Sequence, residues 1–449
     1  MTTQLLTSFS KYVSLNVLGM LGLCGYILAD TFFVANGIGA EGLAALNLAI
    51  SISSIINGTG LMLGIGGATR YNLQRSGNHS EEEGNRTFTV TVQLGLLVGL
   101  LYFLVGALLA EPLAQLLGAD GSILPLTTTY LKTILCFAPG FILNNILIAF
   151  IRNDGSPNTA MAGMLTGSIA NVILDYIFIF PWGMGMFGAA FATGLAPIIS
   201  MAVMSPYFIK EKNGFHWQKG TGGLHLWSNI CALGISSFVS EVASAVVLIV
   251  FNLLLLGLSG NVAVAAYGII ANLSLIAAAI FTGIGQGIQP LVSHYYGRGE
   301  VDTSKRLLRW AVVLSFGLAV ALYLVILLFG EDIADLFNRD NDELLRSIAT
   351  NGLLIYFTGF VFAGINILLS SFFSAIEEPK TGFLISILRG LIVVVPLALL
   401  LSLLWGINGV WLTFPITEAL VFAVGAAKSR RLTDRSSSSE PLYSSPAGR

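Results

Sequence analysis

The stretch FTVTVQLGLLVGLLYFLVGALLA, residues 88–110, contains no charged residue and is long enough to cross a lipid bilayer as one helix. A bilayer core of about 30 Å requires about 20 apolar residues in helical conformation. Comparable runs recur along the chain, at about 11–35, 43–70, 126–151, 159–180, 186–209, 227–258, 262–294, 308–329, 347–374, 382–404 and 408–427. This pattern predicts an all-α polytopic membrane protein with 12 transmembrane helices, numbered here as spans 1 to 12 in chain order.

The composition of the chain excludes several classes of protein. Of its 449 residues, 55% are hydrophobic and 10% are charged, and the mean hydropathy is +0.81. Soluble domains carry about 25% charged residues, so we expect the lipid bilayer to contact most of this surface. A net charge of -2 provides no basic surplus for binding nucleic acid. The three cysteines all lie in apolar runs, so no disulfide framework is expected.

The distribution of basic residues predicts the orientation in the membrane. Loops on the cytoplasmic side carry an excess of Lys and Arg. If the N-terminus is cytoplasmic, 3 of the 22 Lys and Arg residues (Lys132, Arg339 and Arg346) fall on the outer side, Arg389 lies within a span, and the other 18 are on the inner side. We therefore expect a multi-pass protein of the bacterial cytoplasmic (inner) membrane, with both termini cytoplasmic.

The second half of the chain repeats the first half with an offset of roughly 221 residues. Gly64-Ile-Gly-Gly returns as Gly283-Ile-Gly-Gln, and Gly185-Met-Phe-Gly returns as Gly406-Ile-Asn-Gly. Parallel repeats give two lobes related by an axis along the membrane normal. The predicted domains are an N-lobe at 1–209, a cytoplasmic linker at 210–226, a C-lobe at 227–428, and a disordered Ser-rich tail at 429–449.

Several polar residues of the N-lobe spans are expected at one depth. Polar and charged residues inside a bilayer are costly, so they are candidates for function. With a rise of about 1.5 Å per residue, Asp30 in span 1, Asp175 in span 5 and Thr193 in span 6 fall in the outer half of the membrane. Tyr26 lies one helical turn from Asp30, and Asn171 lies one turn from Asp175.

Such a cluster suits ion coupling. Oxygen atoms of carboxylates, amides and hydroxyls can hold a proton or a desolvated Na⁺. Two carboxylates in a site of low dielectric repel each other, which favours retention of a proton by the pair. The alternative is that each acid only makes a hydrogen bond that holds helices together.

The other intramembrane charges are scattered. Glu241 in span 7 has no basic partner at its expected depth, so it either attracts a cation or stays protonated in a packing role. Arg389 in span 11 either extends its side chain to the membrane surface or pairs with Glu418 in span 12. His294, at the inner end of span 8, is expected to be an interface residue rather than a proton relay.

Four motifs resemble those of the MATE (multidrug and toxic compound extrusion) family. They are Ala29-Asp-Thr-Phe-Phe-Val34, Phe150-Ile-Arg-Asn-Asp-Gly-Ser-Pro157, Asn171-Val-Ile-Leu-Asp175 and Gly283-Ile-Gly-Gln-Gly-Ile-Gln-Pro-Leu-Val-Ser-His-Tyr-Tyr-Gly-Arg-Gly299. The resemblance covers the chain from about Tyr12 to Lys428. It implies a V-shaped antiporter whose two six-helix lobes open alternately to each side.

The resemblance also implies which residues form the sites. An N-lobe cation site, as in the DinF-type and archaeal branches, would use Asp30, Asn171, Asp175 and Thr193 (the ligands of Na⁺ if transport is sodium-coupled), with Tyr26, Tyr130 and Asn145. The membership of Asn145 depends on a bend of span 4 at Pro139. In the C-lobe, Glu241 matches an acidic position of the NorM-type branch, whereas the acid expected in span 10 is replaced by Asn366. The residues expected to contact substrate or a C-lobe cation are Glu241, Asn366 and Gln286.

These features predict a secondary active antiporter. It would export organic cations, either drugs or an endogenous or natural-product metabolite, in exchange for H⁺ or Na⁺, as a monomer and without a cofactor. The alternative is a lipid-linked oligosaccharide flippase of the same superfamily, which would need several basic residues in its cavity, whereas the spans contain only Arg389. An enzyme is not expected, because the chain has 4 His and neither a His-Glu-x-x-His nor a Gly-x-Ser-x-Gly motif.

Overall fold

The computed structural model of the protein describes residues 2–77, 80–219, 223–338 and 342–437. Within these ranges the chain is helical apart from short turns and contains no β-strand. Arg339, counted above among the outer basic residues, lies outside the described residues, as does the part of the predicted tail at 438–449. The earlier part of that tail, 429–437, continues the last helix.

The first half of the chain forms six spans. They are built from seven helices: α1 (Thr2–Gly37), α2 (Ala40–Ser76), α3 (Glu81–Leu116), α4 (Ile123–Cys136), α5 (Ala138–Asn153), α6 (Pro157–Ile179) and α7 (Gly185–Ile209). Span 4 consists of α4 and α5, which are bent by 47° at Phe137. Pro139 lies in the first turn of α5 and lacks the N–H that would continue the ladder of α4. The bend predicted at Pro139 is therefore present.

The second half contains longer helices that change direction. It consists of α8 (Leu224–Gly297), α9 (Val301–Phe337), α10 (Glu343–Tyr356), a 3₁₀ turn (Phe357–Gly359), α11 (Phe360–Ala375), α12 (Pro379–Ile387), a π turn (Leu388–Ile392) and α13 (Val394–Ser437). The backbone of α8 leaves helical conformation at Ser259 and Gly260, and that of α13 does so at Gly406. Each of these two helices therefore contains a reversal between two spans.

The number of spans agrees with the prediction. In the described chain, 9 helical segments are long and apolar enough to cross a membrane, and the bent pair α4 and α5 makes a tenth. The segment around α8 and the one ending in α13 each contribute two spans, because of the breaks at Gly260 and Gly406. The fold is thus all-α with twelve transmembrane helices, as the apolar runs indicated.

Backbone conformation confirms the internal repeat. Residues with positive φ occur at matching places in both halves: Gly39 and Gly260, Gly155 and Glu377, Gly185 and Gly406. The bend of span 4 at Phe137 also returns as the 3₁₀ turn at Phe357–Gly359 in span 10. Glu377, with φ of 60°, occupies a conformation that non-glycine residues rarely adopt. The two halves therefore share their turns as well as their helices.

The two halves pack as two lobes that interlock at one end. Spans 1 to 6 surround two apolar clusters, and spans 7 to 12 surround a third, larger one. The start of α1 is an exception, because Leu5, Phe9 and Val13 are buried in the third cluster. The ring of Phe9 meets that of Trp310 edge to face at 5.7 Å. Span 1 thus contributes to both lobes.

Glycines bring the lobes into direct backbone contact. A methyl group at Gly66 in span 2 would overlap the carbonyl oxygen of Ile230 in span 7, and one at Gly234 would overlap that of Met62. A methyl group at Gly283 in span 8 would lie 2.7 Å from Cα of Val17 in span 1. In spans 2 and 8, these contacts lie in the half that leads into the 2–3 loop or the 8–9 loop. In spans 1 and 7, they lie in the half that follows the start of α1 or the linker. The lobes are therefore sealed at that end.

The described part of the linker is fixed to the N-lobe. The side chain of Asp154 in the 4–5 loop accepts hydrogen bonds from the Gly214 backbone N–H at 2.7 Å and from the Tyr207 hydroxyl at 2.6 Å. Phe215 is fully buried against the rings of Tyr71, Phe88, Phe150 and Phe208. Residues 210–219 therefore form part of the N-lobe surface.

Candidate cation and substrate site

Three spans bring the predicted N-lobe cluster together. Asn171 and Asp175 lie one turn apart on α6, and Thr193 faces them from α7. Asp30, on α1, is 6% exposed, and both Asp175 and Asn171 are fully buried. The carboxyls of Asp30 and Asp175 are near enough to interact electrostatically. The structure therefore brings these four side chains into one cluster.

Hydrogen bonds orient one acid and leave acceptor atoms free. The orientation of the Asn171 amide that suits its neighbours is the one in which its nitrogen donates to Asp175 Oδ2 at 3.0 Å and its oxygen accepts from Thr193 Oγ1 at 3.3 Å. Among the described residues, neither Asp30 Oδ1 nor Asp175 Oδ1 has a hydrogen-bond partner, although both atoms are buried. Buried polar atoms are normally satisfied. Two buried acceptors without partners, on acids that interact electrostatically, fit a proton or an oxygen-coordinated cation.

Two tyrosines line the cluster. Tyr130 on α4 is 3% exposed and interacts with both acids and with the hydroxyl of Thr193. Tyr26 lies within electrostatic range of Asp30, Asp175 and Glu241. Glu241 belongs to span 7, so Tyr26 interacts with acids of both lobes. The structure thus brings both tyrosines near the acidic pair.

Asn145 lies in a different hydrogen-bond network from the acidic pair. Its Nδ2 donates to Asn57 Oδ1 at 3.1 Å, and Asn57 Nδ2 donates to Glu241 Oε1 at 3.0 Å. The chain of three side chains joins spans 4, 2 and 7 and crosses from one lobe to the other. Sequence reasoning missed Asn57, although an amide within the apolar run Ser54-Ile-Ile-Asn-Gly-Thr59 was a visible signal.

The predicted C-lobe group is divided among three places. Glu241 contacts Asn57, as described above. Asn366 donates to Glu418 Oε2 at 2.7 Å and to the Glu418 backbone carbonyl at 2.9 Å. Arg389 pairs with the same carboxyl, with Nη2 2.7 Å from Oε1. Of the two alternatives for Arg389, pairing is confirmed.

Gln286, the third residue of that group, lies at the sealed end. Its Oε1 accepts from Nη1 of Arg152 at 2.9 Å, and Asn16 Oδ1 accepts from the same nitrogen at 2.7 Å. Arg152 is 1% exposed, and its Nε finds no hydrogen-bond partner among the described residues. The two longest motifs of the sequence therefore meet across the lobes, and the role of Arg152 could not be read from either motif alone.

Further polar contacts continue this seal. Asn72 in span 2 donates to the Pro290 carbonyl at 2.7 Å and to Ser293 Oγ at 2.8 Å in span 8. Ser76 Oγ contacts His294 Nδ1 at 2.7 Å, so His294 takes part in the contact between the lobes. An ion pair between Arg70 and Glu377 at 2.9 Å lies beside them. This end of the molecule is closed by hydrogen bonds from two lobes.

Twelve membrane helices in two lobes, with buried acids in one lobe and polar contacts between lobes, are typical of a membrane transport protein. The family model MatE matches residues 17–177 and 237–400 of the chain. The protein therefore belongs to the MatE family of transporters.

Curated relatives agree with this assignment. The chain is 26% identical over 399 residues to the multidrug export protein MepA of Staphylococcus saprophyticus, covering 88% of this chain and 87% of the relative. It is 28% identical over 401 residues to MepA of Staphylococcus aureus, with the same coverage of both chains. The similarity thus extends over both lobes.

Solved structures share the fold. One, described as the outward-facing conformation of a multidrug resistance MATE family transporter, has a TM-score of 0.89 at 22% identity and covers 95% of this chain and 96% of that chain. A transporter of the MOP superfamily from Pyrococcus furiosus, described as having a binding pocket of reverse polarity, has a TM-score of 0.88 at 22% identity, with 95% of both chains covered. At this identity the likeness concerns the fold alone.

Proposed function

We propose that this protein is a secondary active antiporter that exports organic cations across a bacterial cytoplasmic membrane in exchange for H⁺ or Na⁺. The observation that carries the proposal is the buried pair Asp30 and Asp175, each with a carboxyl oxygen that lacks a partner among the described residues. A transported ion supplies what these oxygens lack. The N-lobe at 1–209 contains the ion site, and the linker at 210–226 joins it to the C-lobe at 227–428.

Coupling follows from the difference between two states. An ion that binds the Asp30 and Asp175 pair more tightly in one arrangement of the lobes favours that arrangement, and substrate bound elsewhere responds reciprocally. Asn171 orients Asp175 and is itself held by Thr193, and Tyr26 interacts electrostatically with both the acidic pair and Glu241. Ion binding in the N-lobe can therefore influence Glu241, the acid of the C-lobe that faces the N-lobe.

The space between the lobes on the side away from the sealed end is called the cleft here, and the charge distribution indicates the side of the membrane that it faces. The sealed end holds Arg70, Arg75 and Arg152, together with the basic residues of the 8–9 loop. An excess of Lys and Arg marks the cytoplasmic side. The lobes are then closed toward the cytoplasm in this arrangement, with both termini cytoplasmic, and the cleft faces outward.

An organic cation suits the site better than a lipid pyrophosphate does. The half-buried acid near the cleft is Glu241, whereas the two arginines buried within the described spans are both engaged. Arg389 is paired with Glu418, and Arg152 is enclosed by Asn16 and Gln286. A flippase for an anionic headgroup would need basic side chains that are free to bind it. The relatives named for multidrug export support the same substrate class.

The test is efflux of a fluorescent organic cation from vesicles under separately imposed pH and Na⁺ gradients. We expect at least one gradient to drive efflux by the wild type, and Asp30→Asn to reduce this efflux to the level of empty vesicles. Asp120→Asn, which neutralises an exposed acid in the 3–4 loop, serves as the matched control and should transport normally. Gradient-driven efflux by Asp30→Asn at the wild-type rate would refute the proposal.

A further inference from the structure

The hydrogen bond between Asn57 and Glu241 lies where the sealed part of the lobe interface ends. On span 2, residues 58–60 are buried, whereas residues 51–55 are only half-buried. On span 7, residues 237–242 are likewise half-buried. A methyl group at Gly58 would lie 3.3 Å from Glu241 Cβ, so the two helices are already close at this level. Asn57 and Glu241 therefore meet at the floor of the cleft.

Glu241 is only partly satisfied in this position. Its Oε1 accepts from Asn57 at 3.0 Å, and its Oε2 makes no hydrogen bond to a described residue. The side chain is half-buried, so the cleft can reach it. Tyr26 lies within electrostatic range of the same carboxyl. A carboxylate attracts an organic ammonium or phosphonium group by its charge, and the face of an aromatic ring can attract the same cation.

Asn57 moves with the N-lobe rather than with Glu241. Its Oδ1 accepts from Asn145 in span 4. A methyl group at Gly64, two turns further along span 2, would lie 2.7 Å from the carbonyl oxygen of Asn145, so spans 2 and 4 are in backbone contact. Any separation of the lobes at this level must therefore break the bond from Asn57 to Glu241 and leave the bond from Asn145 to Asn57 intact.

We infer that Asn57 is a positioning residue that holds Glu241 in the substrate-free protein, and that a cationic substrate displaces the Asn57 amide from Glu241. The inference rests on the proposed function and adds to it the place and the competitor of the substrate. Substrate binding then removes the tie between spans 2 and 7 at the floor of the cleft. The Asn57 amide competes with the substrate for the Glu241 carboxylate, so removing this amide strengthens substrate binding.

The experiment measures equilibrium binding of tetraphenylphosphonium to purified protein and its efflux from vesicles. A hydrogen bond to a charged group is worth enough to shift affinity roughly tenfold, so we expect Asn57→Ala to bind the probe about tenfold more tightly. Asn57→Ser, which is smaller and still polar, should give a weaker shift in the same direction. Ser53→Ala is the matched control, because its hydroxyl bonds only within its own helix, to the Ala49 carbonyl.

A second background separates positioning from general damage. In Glu241→Gln the probe has no carboxylate to compete for, so adding Asn57→Ala should leave probe affinity unchanged, a coupling that a merely structural role would not produce. Unchanged or weaker binding by both Asn57 variants in the wild-type background would overturn the inference while wild-type efflux persists. If the wild type neither binds nor exports the probe, the proposed substrate class itself fails, which is a distinguishable result.

Discussion

The ion pair between Arg389 and Glu418 is enclosed within the C-lobe. The Arg389 side chain is 17% exposed and that of Glu418 is 2% exposed. Arg389 approaches the carboxyl through both Nε and Nη2, and Asn366 donates to the other oxygen. Removing one partner of a buried pair leaves an uncompensated charge, whereas replacing both by apolar residues is often tolerated. The pair therefore creates a strong dependence between two positions.

We expect Glu418→Gln to destabilise the protein by about 3 kcal/mol, because Arg389 keeps its charge without its partner. Combining Arg389→Met with Glu418→Leu should recover most of this loss. The measurement is chemical unfolding in detergent micelles or lipid discs. The comparison is Glu331→Gln, which breaks an exposed pair with Arg346 and should change stability by less than about 1 kcal/mol. Equal effects of the two single substitutions would contradict this view of the pair.

At the residue scale, depth along a span was predictable and rotation about its axis was not. Equal depth along the spans and one-turn spacing were enough to predict which side chains share the N-lobe cluster, namely Asp30, Asp175, Asn171 and Thr193. Asn145 has a comparable polar side chain, but the 47° bend of span 4 turns α5 toward span 2. The partners of Asn145 depend on that turn, which no spacing in the sequence specifies.

At the scale of helices, spans 2 and 7 approach each other through glycines rather than through interdigitated side chains. Gly66 and Gly234 each face a backbone carbonyl of the opposite helix. Small residues let membrane helices approach closely. A side chain at either position forces the helices apart and so acts on the sealed end alone.

We expect Gly66→Ala and Gly234→Ala to disfavour the sealed arrangement by about 1–3 kcal/mol, the usual cost of overpacking. Gly268→Ala in span 8 is the matched control, because a methyl group there meets nothing within 4 Å. The measurement is the distance between spin labels on spans 2 and 7, and it should increase only for the two interface variants. An unchanged distance in both would show that the helices adjust locally.

Element boundaries were predictable to the extent that apolar runs reveal them. The apolar runs at 227–258 and 262–294 both fall in helix α8, whose reversal is confined to Ser259 and Gly260. A short break of this kind leaves little mark in composition. The matching left-handed residue in the first half, Gly39, follows the end of α1. The repeat therefore carries information about turns that hydropathy does not.

At the scale of the whole molecule, closure of the sealed end depends on a buried guanidinium. Arg152 belongs to span 4, and its one acceptor in the other lobe is Gln286. When the lobes part at this end, that bond must break. Because leaving a buried charged donor without its acceptor is costly, this hydrogen bond opposes separation of the lobes at this end.

We expect Gln286→Ala to shift the equilibrium of the lobes toward opening at this end by about 1–3 kcal/mol, since Arg152 loses its acceptor across the interface. Spin labels at Ser80 and Asp302, in a background without the three native cysteines, report the distance between the 2–3 and 8–9 loops. The longer-distance population should grow in Gln286→Ala and stay unchanged in Gln115→Ala, an exposed control. A distribution identical to wild type would contradict this role.

Span 1 is anchored at its two ends in different lobes. One end carries Asp30 within the N-lobe cluster, and the other end buries Leu5, Phe9 and Val13 in the C-lobe core. Rotation of one lobe against the other must then bend span 1 or withdraw its N-terminal end from the C-lobe core. Gly25 lies between the two anchored ends, and a methyl group there would meet nothing within 4 Å, so the helix can bend there with little steric resistance. A change in conformation at Asp30 can therefore reach the opposite lobe through a single continuous helix.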